Sequence, residues 1–429
     1  MQIKKQFITL RAYKVQMKKI YIHVVACRRR LLDATKISDY LTKNDYKIVD
    51  KPKNADAIIF VTCAFINKIA EFSLDKVKFF QKYDAELIVA GCLPAIEKEK
   101  LSEIFDGKTL CTKDIDEIYQ YFPEKKSSFS DIADANFLYG NLKNHSKKNS
   151  NYFRLRDYIL KKTYGEHSFT YKILLKNPFF FLIRVSWGCL GNCSYCSIKK
   201  AIGSHKSKPL EECLNEFKKG LVQGHKHFLL TADDIGAYGL DIGYTFLELL
   251  QGITEFEGDF KVCIESLKPI WIVKYFEQLK GVLASHKIQY IDCAIQSGSE
   301  KILESMNRYS NIKKISETLL NIKNLNPELL LTTEIIIGFP GESKKDFHQT
   351  LSVLKTIQFD GGFIYRFAQK SGTAAENIKP KISKKEISNR IKFAKKFLKN
   401  EGYKLCYFPK KDCLIFDKAK KKNKYNKFL

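Results

Sequence analysis

The sequence has no long hydrophobic run and no secretory signal. Its longest apolar segment, Pro178 to Ile183, is much shorter than the about 20 residues that a helix needs to cross a bilayer. The stretch before Met17 is polar and basic, without the apolar core of about 7 to 15 residues that a signal peptide contains. These absences argue against a membrane protein and predict a cytoplasmic one. Hydrophobic residues at 45% and charged residues at 28% are typical of a globular chain.

Acidic residues are too few to balance the basic ones. The chain has 74 Lys and Arg against 47 Asp and Glu, which gives a formal net charge of +27. The segment from Lys379 to Leu429 contains 18 basic and four acidic residues and carries about half of this excess. A field of this sign favours a polyanionic partner such as nucleic acid. The alternative is a lysine-rich composition that serves no partner.

Two series of alternating strands and helices predict α/β domains with parallel sheets. The first series covers residues 20–95 with three strands, and the second begins near Phe181 with six. Six strand-helix repeats predict a (β/α)6 partial barrel, and an open doubly wound sheet is the alternative. The length of 429 residues allows about three domains. We predict an N-terminal α/β domain, a linker, the barrel, and a basic helix with a lysine-rich tail, over residues 17–126, 127–175, 176–380 and 381–429.

The strongest chemical signal is a group of three cysteines with the spacing C-x3-C-x2-C, directly after the first strand of the predicted barrel. Cys189, Cys193 and Cys196 offer three thiolates. Three thiolates bind three irons of a [4Fe–4S] cube and leave the fourth iron open to a chelating ligand. Structural zinc is the alternative, but it needs four closed ligands. Twelve cysteines without a secretory signal also favour metal binding over disulfides.

A second group of three cysteines follows the three N-terminal strands. Cys27, Cys63 and Cys92 each come just after a strand. The carboxyl ends of parallel strands lie on one edge of a sheet, so these thiols can converge there and bind a second cluster. Cysteines at strand ends are also often small buried hydrophobic residues, and that interpretation stays open.

The C-x3-C-x2-C motif resembles that of the radical-SAM superfamily, in which S-adenosylmethionine (SAM) completes the open iron. An α/β domain with three scattered cysteines before such a barrel is similar to the methylthiotransferase family, and the match runs from about Ile20 to Lys399. Leu230 to Gly243 is most similar to the archaeal and eukaryotic branch that methylthiolates threonylcarbamoyladenosine in tRNA. Further matching segments are Val61-Thr62-Cys63-Ala64, Gly91-Cys92-Leu93-Pro94, Gln296-Ser297-Gly298-Ser299, Met306-Asn307-Arg308, Gly338-Phe339-Pro340-Gly341-Glu342 and Ser371-Gly372-Thr373-Ala374-Ala375.

The resemblance implies two [4Fe–4S] clusters and SAM as cofactors, and an electron donor such as flavodoxin or ferredoxin. One electron releases methionine and a 5′-deoxyadenosyl radical from SAM, and this radical removes hydrogen from an unactivated C–H bond. The auxiliary cluster at Cys27, Cys63 and Cys92 supplies or carries sulfur, and a second SAM provides the methyl group. The resemblance names no catalytic residue beyond the cluster ligands.

Five residues are predicted to contact SAM. Tyr195 stands where the superfamily commonly places an aromatic residue beside the adenine, and a packing aromatic is the alternative. Glu265, Gln296, Asp233 and Asp234 lie near strand carboxyl ends, at the expected top of the barrel, where polar side chains bind ribose or amino groups. Polar residues that simply begin loops are the alternative.

Two departures from the family pattern affect the choice of substrate. Cys27 is followed by Arg28-Arg29-Arg30 where the family usually has Asn, and the tail from Tyr403 to Leu429 is too short for the small RNA-binding β-barrel that the family commonly carries. We predict that C2 of an N6-threonylcarbamoyl adenosine in tRNA is modified, with the basic tail replacing the missing β-barrel. The alternative is β-methylthiolation of an aspartate in a protein or peptide.

The sequence supports two further hypotheses. A hypothesis from a different functional class is that the chain is a non-catalytic metal-binding protein that binds RNA through its basic tail. Met17-Lys18-Lys19-Ile20 leads straight into the first strand, so Met17 is expected to be the true or an alternative start. The preceding 16 residues are then dispensable.

Overall fold

The computed structural model describes residues 18–140, 180–408 and 412–418. The expected start at Met17, the polar run Asn141 to Asn151 and most of the lysine-rich run after Asp417 lie outside these residues. The predicted domain boundaries stay predictions. No helix of the described residues is long and apolar enough to cross a membrane.

The N-terminal part is a five-stranded parallel sheet in the order β2-β1-β3-β4-β5. The three central strands are those predicted from the sequence. The short edge strands β2 and β5 were not predicted, because neither has an apolar run. All six residues of β3 are buried, since its side chains alternate between one core on each face of the sheet. The strands are β1 Lys19–Val24, β2 Lys47–Ile48, β3 Ala57–Thr62, β4 Glu86–Gly91 and β5 Lys108–Cys111, and the helices are α1 Arg28–Lys43, α2 Asn67–Phe80, α3 Leu93–Ile96 and α4 Lys98–Ser102.

The second sheet contains the six predicted barrel strands, parallel and in chain order. A sheet wound in one direction, with no reversal of strand order, confirms the (β/α)6 partial barrel and excludes a doubly wound sheet. Its strands are β6 Phe181–Arg184, β9 His227–Thr231, β10 Lys261–Ile264, β11 Ile288–Asp292, β12 Leu330–Ile337 and β13 Gly361–Arg366, and a small ladder joins β7 Ser186–Trp187 to β8 Lys206–Ser207. The helices are α5 Lys199–Ile202, α6 Leu210–Val222, α7 Phe246–Glu255, α8 Pro269–Ala284, α9 Glu300–Ser305, α10 Ile312–Leu325, α11 Lys344–Ile357 and α12 Lys384–Asn400.

The basic tail forms a β-hairpin on the edge of the barrel sheet. Strands β14 Tyr403–Phe408 and β15 Cys413–Lys418 pair with each other, and β15 runs antiparallel to β13. Leu414 and Phe416 belong to the main barrel core. The sequence pattern predicted the helix α12, but it indicated only a lysine-rich tail after that helix. The difference arises because these strands are stabilised by hydrogen bonds to β13, which is distant in the sequence.

A buried ionic network joins the N-terminal domain to the barrel. Arg30, Asp33 and Arg184 are 2%, 5% and 6% exposed. Arg30 Nε lies 2.7 Å from a carboxylate oxygen of Asp33, and Arg184, at the end of β6, donates to the same carboxylate and to the backbone carbonyl of Arg29. One buried carboxylate therefore pairs with two guanidinium groups at the domain interface.

Replacing Asp33 by Ala is expected to lower the free energy of unfolding by about 3–5 kcal/mol, because two buried arginines lose their counter-ion. Urea unfolding followed by circular dichroism measures this loss. The matched control is Asp259→Ala, which removes the exposed partner of Lys226 at 3.4 Å and is expected to cost at most about 1 kcal/mol. Equal effects of the two substitutions would show that the buried network contributes little to the free energy of unfolding.

Candidate active site

The cysteines of the C-x3-C-x2-C motif share one loop between β7 and α5. The loop begins at Gly188, which has a φ of +68°. A Cβ atom at this position would lie 1.8 Å from the carbonyl oxygen of Ser204, so only glycine fits. The backbone then turns, and the N–H of Cys196 donates to the carbonyl of Cys193 at 3.0 Å. All three cysteine residues, including Cys189, are partly exposed.

The sulfur of Cys189 lies among hydrogen-bond donors. Lys268 Nζ is 3.1 Å from Cys189 Sγ and 2.6 Å from Asp234 Oδ2. The backbone N–H of Gly191 donates to the same sulfur at 3.2 Å. The pKa of Cys189 is raised to about 11, chiefly by burial and also by the charge of Asp234, while the Lys268 ammonium acts in the opposite direction. Donors directed at the sulfur favour the thiolate, which is the form that binds iron.

A second cation lies beside Cys193. Arg308 Nη1 is 3.8 Å from Cys193 Sγ. Arg308 belongs to the Met306-Asn307-Arg308 segment, which also fixes the cysteine loop: the N–H of Ser194 donates to the carbonyl of Met306 at 3.0 Å. The Ser194 hydroxyl donates to the carbonyl of Ser305 at 2.7 Å. This segment therefore holds the cysteine loop against the barrel.

The structure brings the three N-terminal cysteines together. Cys27, Cys63 and Cys92 follow β1, β3 and β4, which are neighbours in the sheet. The pKa of the Cys92 thiol is raised to about 12, chiefly by burial, and the charges of Cys27 and Cys63 contribute to this value. The Arg30 guanidinium acts in the opposite direction. The three cysteines thus lie at the carboxyl edge of the sheet.

This edge of the N-terminal sheet faces the mouth of the barrel. Arg28, the neighbour of Cys27, forms an ion pair with Glu265 just after β10. Arg29 Nε lies 2.8 Å from a carboxylate oxygen of Asp233, just after β9. Two of the predicted SAM contacts, Glu265 and Asp233, therefore each form an ion pair with an arginine of the N-terminal domain. Their contact with SAM stays a prediction.

A cavity of about 100 Å³ lies between the cysteine loop and the N-terminal domain. Tyr195, Cys196 and Gln296 line its barrel side, and Phe65, two residues after Cys63, lines the other. Gln296 has a φ of +66° and is 7% exposed. Its amide oxygen accepts no hydrogen bond from any described residue. Two predicted SAM contacts, Tyr195 and Gln296, thus border the same space as Cys196.

The fifth predicted SAM contact, Asp234, is only 1% exposed. It does not line this cavity. Its carboxylate accepts from Lys268 and, at 3.0 Å, from the indole Nε1 of Trp271. The contacts seen in the structure therefore hold Lys268 beside Cys189.

Sequence reasoning missed three charged residues of this region. Lys268 lies three residues after Glu265 at the carboxyl end of β10, so its position was a usable signal. Arg308 was identified only as part of the segment Met306-Asn307-Arg308, with no role of its own. Asp292 ends β11 and accepts from the Thr332 hydroxyl at 3.2 Å, and burial raises its pKa.

A [4Fe–4S] cube with one open iron takes three thiolates, which is the donor set that each group of cysteines offers. Among the described residues, no three His, Cys, Asp or Glu side chains are arranged to hold one ion. Ligands of a cube bind separate irons, so their sulfur atoms need not converge on one point. Binding of one cube by each group of three cysteines stays a prediction.

Two protein families match this chain, and each match includes one of the two groups of cysteines. Residues 183–354 match the Radical SAM superfamily, and residues 19–112 match the family described as uncharacterized protein family UPF0004. The first match contains the cysteine loop and Met306-Asn307-Arg308. The second contains the three cysteines at the strand ends.

Relatives of two kinds align with most of the chain. A probable threonylcarbamoyladenosine tRNA methylthiotransferase of Pyrococcus horikoshii is 26% identical over 84% of this chain and 79% of its own length. The ribosomal protein uS12 methylthiotransferase RimO of Thermotoga maritima is 27% identical over 87% of this chain and 81% of its own length. The ribosomal protein uS12 methylthiotransferase RimO of Thermodesulfovibrio yellowstonii is 29% identical over 87% of this chain and 80% of its own length.

A solved structure shows the same fold. The radical S-adenosylmethionine methyltransferase TsrM of Kitasatospora setae, with cobalamin and a [4Fe–4S] cluster bound, superimposes with a TM-score of 0.57 at 12% identity, over 84% of this chain and 77% of that one. The cofactors predicted from the sequence, two [4Fe–4S] clusters and SAM, are confirmed by these relationships. The chain is an enzyme and belongs to the radical-SAM methylthiotransferase family.

Proposed function

We propose that this enzyme inserts sulfur and a methyl group at C2 of an N6-threonylcarbamoyl adenosine in tRNA. Methylthiolation by a radical-SAM enzyme is the activity that its relatives share. The choice of tRNA is supported by relatives named as threonylcarbamoyladenosine tRNA methylthiotransferases, in Pyrococcus horikoshii and Methanocaldococcus jannaschii. The net charge of +27 is a second, independent support.

In this proposal the two groups of cysteines bind different clusters. Cys189, Cys193 and Cys196 hold the SAM-binding cluster, and the N-terminal cysteines Cys27, Cys63 and Cys92 hold the auxiliary cluster. When bound, the clusters and SAM supply the activation of an inert C–H bond and the sulfur and methyl groups that replace its hydrogen.

The protein's own residues position and shield these groups. Lys268 and Arg308 direct positive charge at the sulfurs of Cys189 and Cys193, which stabilises the thiolates. Tyr195 and Gln296 border the cavity beside the cysteine loop, and we propose that they contact SAM there. Gln296 has a buried amide oxygen without a partner among the described residues, which a ligand donor can satisfy.

The observation that carries the proposal is a basic groove leading to this cavity. The groove and the cavity share part of their lining, including Ile66 and Tyr365. The acidic residue among the described groove residues is Asp412, which lies 3.8 Å from Arg366. A phosphodiester chain is therefore attracted to the entrance, because the groove lining is otherwise basic or neutral. The basic residues of the groove are Lys68, Arg366, Lys381 and Lys384.

Aspartate β-methylthiolation in a protein is the second candidate. It is supported by the RimO relatives, which are as similar to this chain as the tRNA enzymes are. Either substrate is a macromolecule, and we propose flavodoxin or ferredoxin as the electron donor in both cases.

The experiment compares both substrates in one assay. Anaerobically reconstituted enzyme, SAM and a chemical reductant are incubated with tRNA from a strain lacking the gene, or with ribosomal proteins from that strain. We expect mass spectrometry of digested nucleosides to show a methylthio group on threonylcarbamoyladenosine. A methylthiolated aspartate with unchanged tRNA would establish the second candidate. Bound metal without cleavage of SAM would favour a non-catalytic RNA-binding protein.

A further inference from the structure

We propose that the outer side of α12, together with Tyr407, is an RNA-docking surface that guides the substrate to the basic groove. This inference rests on the proposed function and names the surface that holds the RNA backbone. Helix α12 buries Ile387, Ile391 and Leu398 against the barrel. At 3.6 residues per turn, six lysines project within about a third of the circumference on another side of the helix. This lysine face comprises Lys384, Lys385, Lys392, Lys395, Lys396 and Lys399.

The lysine face lacks neutralising carboxylates among the described residues. The two acidic residues nearest to it in the sequence are already engaged: Glu386 pairs with Arg390 at 3.0 Å, and Glu401 pairs with Lys355 at 3.2 Å. Ammonium groups three and four residues apart on a helix repel each other. An anionic partner removes this repulsion, so the arrangement suits binding better than it suits helix stability alone.

The lysine face is continuous with the entrance to the active site. Lys384 lines the basic groove. From Lys384 to Lys399 the helix rises about 22 Å, at 1.5 Å per residue. A polyanion that follows this helix therefore reaches the groove that leads to the cavity beside the cysteine loop.

An exposed aromatic ring completes the surface at the far end of the helix. Tyr407 of β14 is 42% exposed, and Lys395 Nζ lies 5.6 Å from the centre of its ring. Leu405 and Leu414 join four lysines of α12 around the same shallow depression. Ammonium groups beside an exposed ring suit the phosphates and stacked bases of RNA. A basic polypeptide would be repelled here.

The test replaces four lysines by glutamine (Lys392, Lys395, Lys396 and Lys399) in the full-length reconstituted enzyme. The variant spares Lys384, which belongs to the groove. The control is an equal loss of charge on distant exposed helix positions, with glutamine at Lys218, Lys219, Lys313 and Lys314. Fluorescence anisotropy with an in vitro transcribed tRNA is recorded without reductant, from about 50 to 200 mM salt. A third variant places arginine at the same four α12 positions, which keeps the charge.

We expect the α12 glutamine variant to bind tRNA at least about tenfold more weakly at physiological salt. Its salt slope should be smaller by about 3, since each phosphate contact contributes roughly 0.7 to 0.9. The distant control and the arginine variant should bind as the wild type does. Equal weakening in the α12 glutamine variant and the distant control overturns the proposal, because the effect is then net charge alone. Loss of binding in the arginine variant also overturns it.

Deletion of the hairpin is a poor substitute for this test, because Leu414 and Phe416 are part of the barrel core. Glutamine at exposed helix positions leaves that core intact. The binding assay is also independent of the proposed reaction. If the tRNA binds through the lysine face but is never methylthiolated, the proposed function fails and the docking surface stands. If the α12 glutamine variant methylthiolates tRNA with an unchanged KM, the docking surface fails and the function stands.

Discussion

Alanine at Cys189, Cys193 or Cys196 is expected to abolish cleavage of SAM. In the proposed assignment each thiol binds one of three irons, so loss of one thiol destabilises the whole cluster, including the open iron to which SAM binds. Under reducing conditions, chromatography should detect no 5′-deoxyadenosine above a blank without enzyme. Iron should fall from about eight to about four per chain, because the auxiliary cluster is retained.

The matched control for these variants is Cys406→Ala, which removes a partly exposed thiol outside both groups. It should keep both the iron and the cleavage of SAM. A Cys189→Ala enzyme that still released 5′-deoxyadenosine at the wild-type rate would refute the assignment of the cysteine loop.

Alanine at Cys27, Cys63 or Cys92 is expected to separate the cleavage of SAM from the formation of methylthiolated product. Cleavage of SAM should continue, because the barrel cysteines are intact, while methylthiolated product falls below detection. The iron content should again be about four per chain. The measurement pairs 5′-deoxyadenosine release with mass spectrometry of the substrate in the same reaction.

Cys111 offers a demanding control for this second result. It ends β5, beside β4, so it is also a strand-end cysteine of the N-terminal sheet. Its thiol donates to the carbonyl of Ala201 at 3.4 Å. We expect Cys111→Ala to keep both activities. If it lost product formation while Cys92→Ala kept it, the auxiliary ligands would have to be reassigned.

The sequence was informative where local pattern and chemistry coincide. The spacing of Cys189, Cys193 and Cys196 needed no structure to suggest an iron–sulfur cluster, because ligands so close in sequence share one loop. The convergence of Cys27, Cys63 and Cys92 was expected from a general property of parallel sheets, whose strands end on the same edge. Apolar strands alternating with amphipathic helices predicted the partial barrel.

Contacts between distant segments were not predictable in this way. Arg28 and Arg29 looked only like a departure from the family pattern, whereas the structure pairs them with Glu265 and Asp233 across the domain interface. Lys268 beside Cys189 belongs to the same class of contact. An ion pair depends on the relative position of two domains, and no pattern within either segment encodes that position.

By itself, the sequence determined the family, the cofactors and the two groups of cysteines, because these depend on residue type and spacing. The tertiary structure alone decided that the tail continues the barrel sheet and that the lysine face of α12 leads to the groove. The hairpin exists because β15 bonds to β13, about fifty residues earlier in the chain. The orientation of the lysine face is fixed by the apolar side of α12 buried against the barrel.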